Sequence, residues 1–486
     1  MMYKRILLLM GVVFGMVTSG LAQSALESLR YSSVYQVGTA RNIALGGSIS
    51  SVGGDFSSIV TNPAGIARYK SSEFQLSPNI AFGNTDGTYL GNSLSDENLN
   101  FNVSSMGIIM ARPLNTANGW KGFSIGAGLN RLDQYHQNIF ISGTNTNSSI
   151  LDLHAAVAEG VDPGSLVGSF PFDAGLSYLG NTLFVDTNNV YHPIFGNVSP
   201  EQDITISRSG GKYEAAISGG GNFDDKVYFG ASLGVPIINF SETEIIRETD
   251  KNNEIEGFNY IDLRNELRTS GYGVNFKFGV LASVHQYVRI GAAFHTPTVI
   301  RFSDDYITVF DADFVDSLNS VESPQGRFDY TLVSPWKFIG NASFMMGKYG
   351  FISTEYELQN QGKAKYKFNS NVADVKFEES IRNNEISGLY DWQHHLKLGI
   401  EFKADPVRVR AGFQYKTSGF ASSQPAELIY SGGLGYRGKH FFVDGAFSYS
   451  NRKYDYTPYE FGNITSGTAN LDVSKSQVTI TIGYKL

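Results

Sequence analysis

The chain has 486 residues, a formal net charge of −8, only 17% charged residues and no cysteine. The missing cysteine excludes a disulfide scaffold, a thiol nucleophile and a cysteine-ligated metal, and the diffuse acidic balance excludes a nucleic-acid partner, which needs a basic surface. Aromatics are plentiful, with 34 Phe and 27 Tyr, and 53 Gly stand against 14 Pro; Phe and Tyr favour strands and Gly supplies tight turns, so the composition leans all-β.

The first element, residues 1–22, reads as a signal peptide. Lys4 and Arg5 form a positive end, Ile6 to Val17 an apolar stretch, and Gly20-Leu21-Ala22 a small-x-small cleavage site before Gln23. The apolar run falls short of the ~20 residues that a spanning helix needs. No cysteine follows the cleavage site, so a lipoprotein is excluded, and no later apolar run is long enough for a membrane helix. The mature chain is therefore either soluble outside the cytoplasm or a barrel.

Residues 23–71 are not strand-like. They carry Gly38-Thr39-Ala40-Arg41-Asn42-Ile43-Ala44-Leu45-Gly46-Gly47, then Gly53-Gly54-Asp55, then Asn62-Pro63-Ala64. Spaced apolar residues (Ile43, Leu45, Ile49, Phe56, Ile59, Ile66) and turn residues predict a compact, ordered segment.

From residue 72 onward, period-two alternation dominates. Val288, Ile290, Ala292 and Phe294 oppose Arg289, Gly291, Ala293 and His295. Leu396, Leu398, Ile400 and Phe402 oppose His395, Lys397, Gly399, Glu401 and Lys403. At the C-terminus Val478, Ile480, Ile482, Tyr484 and Leu486 oppose Gln477, Thr479, Thr481, Gly483 and Lys485. A soluble sandwich shows the same alternation, but two features favour a membrane barrel. Many strands reach the 9–11 residues that a tilted membrane strand requires. The connections also alternate between short ones, such as 222–225, 404–406 and 437–440, and long ones, such as 83–102, 144–201, 303–326 and 451–473. Strands laid between them, from Phe74–Phe82, Val103–Arg112 and Lys121–Gly143 to Phe441–Ser450 and Ser474–Leu486, number about fourteen. An even number places both chain ends on the periplasmic side. The expected fold is thus an all-β transmembrane antiparallel β-barrel of about 14 strands (72–486) with an N-terminal hatch (23–71) plugging the lumen, in the bacterial outer membrane. The last strand, with Tyr484 and a terminal apolar Leu486, is similar to the signal read by the barrel-assembly machinery. A monomer surrounded by outer-membrane lipid is expected.

The order Gly-x-x-Arg41, Asp55, Asn62-Pro63-Ala64 ahead of such a barrel resembles the hatch of the long-chain fatty-acid transporter (FadL/OMPP1/TodX) family. The resemblance implies passive transport of fatty acids or other hydrophobic small molecules. Outer loops capture the ligand, the barrel binds it, and it leaves sideways where a kink interrupts the third strand, close to Asn-Pro-Ala. On this chain it implies gating by Arg41, Asp55, Asn62, Pro63 and Ala64, and it directs attention to Gly126 and Gly128 as the kink, because strand glycines mark bends. The apolar second outer loop, with Leu151, Leu153, Leu166, Phe170 and Phe172, is expected either to cap the barrel mouth or to bind ligand. Arg408 and Arg410 belong to a lumen ion-pair network or, alternatively, meet a ligand carboxylate. No cofactor or metal is expected: there is no His-Glu-x-x-His, no Gly-x-Ser-x-Gly, and His394-His395 should point to opposite sides of one strand. Competing functions are a barrel of this shape serving as scaffold or shuttle in outer-membrane protein secretion, and a barrel hydrolase, which needs a Ser–His pair on one wall.

Overall fold

The computed structural model describes residues 24–35, 38–422 and 424–486, and the signal peptide lies outside them. Within this range fourteen antiparallel strands close into one barrel. They are β1 (Glu73–Tyr89), β2 (Asn92–Pro113), β3 in two runs (Trp120–Gln134 and Gln137–Thr144), β4 (Glu201–Phe223), β5 (Val227–Thr249), β6 (Phe258–His285) and β7 in two runs (Val288–His295 and Val299–Phe314). Then follow β8 in two runs (Gly326–Val333 and Lys337–Met345), β9 (Gly350–Asn360), β10 (Trp392–Ala404), β11 (Val407–Lys416), β12 (Glu427–Arg437), β13 (Phe441–Tyr456) and β14 (Ala469–Lys485). The last strand closes on the first, with Glu73 opposite Lys485 and Thr88 opposite Asn470.

The alternation seen in the sequence is present, but its faces are exchanged relative to a soluble protein. On β14, Gln477, Thr479 and Thr481 are 3%, 0% and 0% exposed, whereas Val478, Ile480, Ile482 and Tyr484 are 39%, 43%, 54% and 52% exposed. On β10, His395, Lys397 and Glu401 are buried while Leu396, Leu398 and Phe402 face outward. Apolar surface exposed all round a barrel is unfavourable in water and is what a lipid surround stabilises. Aromatic pairs mark both edges of this band. Trp336 and Trp392 (5.7 Å between rings) lie toward the long loops, and Tyr436–Phe441 (5.7 Å) and Tyr287–Phe344 (6.2 Å) toward the short turns.

Above the band the faces swap again. On β14 Ala469, Leu471 and Val473 turn inward and Asn470 turns outward. The outer ends of most strands therefore form a water-facing cylinder around an apolar core that includes Ile141, Ile204, Ile246, Leu263 and Phe310. The loop expected at 83–102 is strand as well, with mostly small or polar residues turned inward: β1 and β2 run on to a tight turn at Leu90 (φ 47°) and Gly91 (φ 88°). Likewise β7 continues to Phe314 before a short hairpin with Ser317–Glu322.

The N-terminal segment lies inside the barrel. It folds as α1 (Ala25–Ser32), α2 (Ala40–Ala44) and two short 3-10 turns, Phe56–Ile59 and Pro63–Arg68, each begun by a capping side chain: Ser24, Thr39, Asp55 and Asn62. The start of this segment is not on the periplasmic side. The Tyr366 hydroxyl donates to the Ser24 carbonyl (3.0 Å), and Tyr31 packs with Phe302 and Tyr330 in the outer half of the barrel. Strand parity fixes the end from which β1 enters, but a plug is free to thread back up the lumen.

Candidate translocation path

The hatch is tied to the wall by buried polar contacts. Arg41 Nε donates to Glu401 (3.1 Å) and its Nη1 to the Gly54 carbonyl (3.2 Å). Glu401 also accepts from Arg410 (2.7 Å), Arg410 donates to Asp444 (2.7 Å), and Arg437 pairs with the same aspartate (2.7 Å). Asp55 accepts from the Thr39 hydroxyl and the Ser57 N–H (each 2.9 Å), fixing the fold of the hatch itself. Asn62 accepts from the Ala64 N–H (3.1 Å) and donates to the carbonyls of Val280 (3.3 Å) and Ala292 (3.4 Å). Asn62-Pro63-Ala64 thus docks on β5, β6 and β7, where a Cβ on Gly279 would strike Asn62 and one on Gly230 would strike Pro63. The resemblance puts it near the third-strand kink; its own hydrogen bonds are to β6 and β7, and the residues around it, Val60 and Ile66, share a cluster with Leu132 of the kink.

The kink itself is elsewhere than at Gly126 and Gly128. Both glycines sit in unbroken pairing, Gly126 opposite Ile109 and Gly128 opposite Gly107. Their bareness makes room for the hatch: a Cβ on Gly107 or Gly128 would collide with the Phe56 ring, and one on Gly126 would press on Ile109 and Ile59. The β2–β3 ladder ends at Ser105 opposite Asn130. The register against β4 slips between Arg131 and Asp133, and β3 is interrupted at Tyr135 and His136. Asn130, Arg131 and Leu132 are buried in succession, so alternation is lost and the strand bends inward. Beyond the bend, Gln137–Thr144 pairs with β4 alone. Between it and the outer half of β2 the described contacts are side-chain bonds: Asn100 Nδ2 to His136 Nε2 (3.0 Å), Asn138 Nδ2 to the Glu97 carbonyl (3.2 Å) and Asn92 Nδ2 to the Ser142 carbonyl (3.1 Å). The wall is therefore open at backbone level there, and side chains bridge it.

Behind the bend lies a narrow chamber with a cavity volume of about 70 Å³. Val34, Ile43, Val60 and Leu132 line it on the hatch and kink side, and Lys212, Lys277, Lys337, Lys397, Glu214 and Glu357 on the facing strands. Lys277 pairs with Glu214 (2.5 Å), Lys337 with Glu357 (3.4 Å) and Lys397 with Glu355 (2.9 Å). Lys212 Nζ donates instead to the Tyr31 carbonyl (2.7 Å). With Glu355 counted, four lysines face three glutamates, and Lys212 is the cation left over without a carboxylate partner among the described residues. Neither Arg408 nor Arg410 is in it. Arg410 is held within the hatch-anchoring network, and Arg408 pairs with Asp405 at a periplasmic turn. The chamber lysines escaped sequence reading because they come from β4, β6, β8 and β10, and alternation tells only which side of a strand a residue faces. His394 and His395 point apart: His395 is buried against Gln414 (2.8 Å) and His394 is exposed beside Tyr356 (2.6 Å).

Over the chamber, Tyr31 fills an aromatic pocket with Tyr135 (6.1 Å), Phe240 (6.3 Å) and Phe302 (4.7 Å). Tyr135 belongs to the kink, so plug, bend and pocket share one cluster. Above this the second outer loop folds as α3 (Ile150–Ala158), α4 (Pro163–Ser169) and α5 (Ala174–Leu179). Leu151, Leu153, Leu166 and Phe170 are buried in the core that these helices share with the strand extensions, and Phe172 packs on Tyr306 (5.1 Å). Glu248 holds the start of α3, accepting from the Ile150 N–H (2.8 Å) and Gln202 (2.6 Å). His154 Nδ1 meets the Ser177 hydroxyl at 2.6 Å, and burial pushes its imidazole down to about 4 against a weaker upward pull from Asp173.

A closed fourteen-stranded barrel with an apolar outer band, an internal hatch and a bent third strand defines a bacterial outer-membrane β-barrel plugged by its own N-terminal segment. No family model and no curated protein matches the chain. Solved structures do. It is similar to a Pseudomonas aeruginosa FadL homologue (TM-score 0.53, 13% identity, 93% of this chain and 99% of that one). It is also similar to the Pseudomonas putida toluene transporter TodX (TM-score 0.50, 10% identity, 93% and 99%) and the Ralstonia pickettii toluene transporter TbuX (TM-score 0.50, 13% identity, 93% and 99%). At these identities the likeness is one of fold, and it spans nearly the whole of each chain.

Proposed function

We propose that the protein passes hydrophobic small molecules, long-chain fatty acids or aromatic hydrocarbons, passively through the outer membrane. The ligand enters through the outer cap, passes through the chamber, which widens to admit it, and leaves sideways between β2 and β3. The observation that carries this reading is the bend at Tyr135–His136, which joins the chamber to a stretch of wall without backbone pairing while the hatch fills the lumen axis. A sideways exit suits an apolar ligand, because each CH₂ kept out of water is worth about 0.8 kcal/mol and an aqueous periplasmic outlet forfeits it. The apolar side of the chamber and its lysine-rich side fit an amphipathic acid, with the carboxylate at Lys212 and the chain toward Leu132 and Val60. The solved channels of the same fold are described as monoaromatic hydrocarbon and toluene transporters, which supports the same class of cargo. The secretion reading shares the plugged axis, but it calls for a broad apolar loop surface, whereas Leu151, Leu153 and Leu166 of the largest outer loop face inward. Uptake of labelled palmitate and of toluene by cells with and without the protein tests the proposal. Uptake that depends on the protein and falls when Leu132→Asp places a charge at the bend supports it; equal uptake of both probes in all three strains, with the barrel shown to be inserted, refutes it.

A further inference from the structure

One sector of the outer wall carries a cluster of cations at a definite height. Across β6, β7 and β8 the last outward row of the apolar band is Val274, Val299 and Val333, with Lys365 at its end on the short strand Lys365–Phe368. The next outward row is Tyr272, Arg301, Thr331 and Lys367. Two rows higher, Arg268 stands opposite Asp305, and Arg327 lies 4.0 Å from Asp305 and 3.6 Å from Asp329. Arg268, Arg301, Lys365 and Lys367 are exposed, and none forms an ion pair with a described carboxylate. Rows of outward residues are separated by two residues of a strand, roughly 7 Å, so all five cations lie within about 20–25 Å along the strands, starting at the level of the band's top row.

The opposite wall differs. There the last apolar row pairs Phe82 with Leu99; Glu97 stands one row above it and Asp86, opposite Asp472, two rows above, with Lys453 paired to Asp472 (3.0 Å). In a chain of net charge −8, a sector with five cations against two strand carboxylates, Glu379 on the neighbouring helix Ala373–Leu389 being paired with Lys376 (2.8 Å), is a local reversal of sign at the depth of the lipid headgroups. Cations at that depth are drawn to anionic headgroups, by about 1 kcal/mol each at a membrane surface, and arginine forks match phosphate oxygens.

The geometry points to a binding surface for a phosphorylated glycolipid of the outer leaflet, its phosphates held by Arg301, Lys367 and Arg268 and its acyl chains lying on Val274, Val299 and Val333. This rests on the barrel standing in the outer membrane and is independent of what the lumen carries. Occupied by such a lipid, the sector fixes the depth and tilt of the barrel beside β6 to β8, away from the β2–β3 opening.

The test is native mass spectrometry of the detergent-purified chain with bisphosphorylated lipid A, with lipid A stripped of phosphate, and with inorganic phosphate as competitor. The wild type retains the bisphosphorylated form preferentially. The Arg301→Gln, Lys367→Gln double variant loses roughly tenfold or more of that retention, the charge-keeping Arg301→Lys, Lys367→Arg variant keeps it, and Lys453→Gln on the opposite wall leaves it unchanged. Heat-modifiable gel mobility confirms that each variant is a folded barrel. Equal retention of the two lipids, or wild-type retention by the folded glutamine variant, overturns the proposal. Displacement of the lipid by low-millimolar inorganic phosphate would assign the cations to free anions and overturn the lipid as ligand.

Discussion

At the residue scale, the hatch is held by a few side chains for which the wall has been shaped. Phe56 occupies space that exists because positions 107 and 128 lack a Cβ. Gly128→Val should therefore cost about 1–3 kcal/mol through overpacking, seen as a lower thermal midpoint and faster cleavage of the segment before β1 by added protease. Glu401 carries a larger share, because it joins Arg41 of the hatch to Arg410 of the wall. Glu401→Gln takes the carboxylate from the buried Arg41 guanidinium, while Arg410 keeps Asp444, and breaking such a pair costs about 3–5 kcal/mol; the hatch is then expected to exchange amide hydrogens freely while the barrel keeps its gel mobility. The roles of Arg41 and Asp55 could be suspected from their order in the sequence, but their partners could not. Glu401 lies 360 residues from Arg41, and nothing local in either segment pairs them.

At the scale of elements, strands inside the bilayer were legible and strands outside it were not. β10, β11 and β14 announce themselves because lipid on one side and a polar lumen on the other impose strict alternation. The outer halves of β1 and β2, rich in Asn, Asp, Gly and Ser, read as loop because water lies outside them and their inward residues are small or polar. The bend in β3 does not fall at its glycines. It is made instead by Asn130, Arg131 and Leu132, whose only signal is a local loss of period two. The second outer loop was read as apolar and suited to a cap, and its helices do pack into one core with the strand extensions. That core contains a pH-sensitive member. His154 is buried neutral with its imidazole down at about 4, against about 6.5 when unfolded. The unfolded cap thus binds the proton more readily, so cap stability is complete above about pH 6.5 and is lost as pH falls toward 4. Hydrogen exchange of Ile150–Ala158 should accelerate over that window, and His154→Gln should flatten the dependence.

At the scale of the whole molecule, closure, strand number and the presence of a plug followed from the sequence because they depend on pattern and count. The chamber and its exit did not, because they depend on which distant strands the closure brings together. The central claim is that ligand leaves through the wall between β2 and β3. Asn100 and His136 face each other across that opening at 3.0 Å between side-chain nitrogens, and the chain has no native cysteine. The Asn100→Cys, His136→Cys variant can therefore be joined across the opening by a short reducible bis-thiosulfonate linker, with uptake of a labelled fatty acid followed before linking, after linking and after reduction. Lateral exit predicts that uptake falls to the level of cells lacking the protein once the linker is in place, and returns on reduction. Uptake that continues unchanged with the opening linked would contradict it.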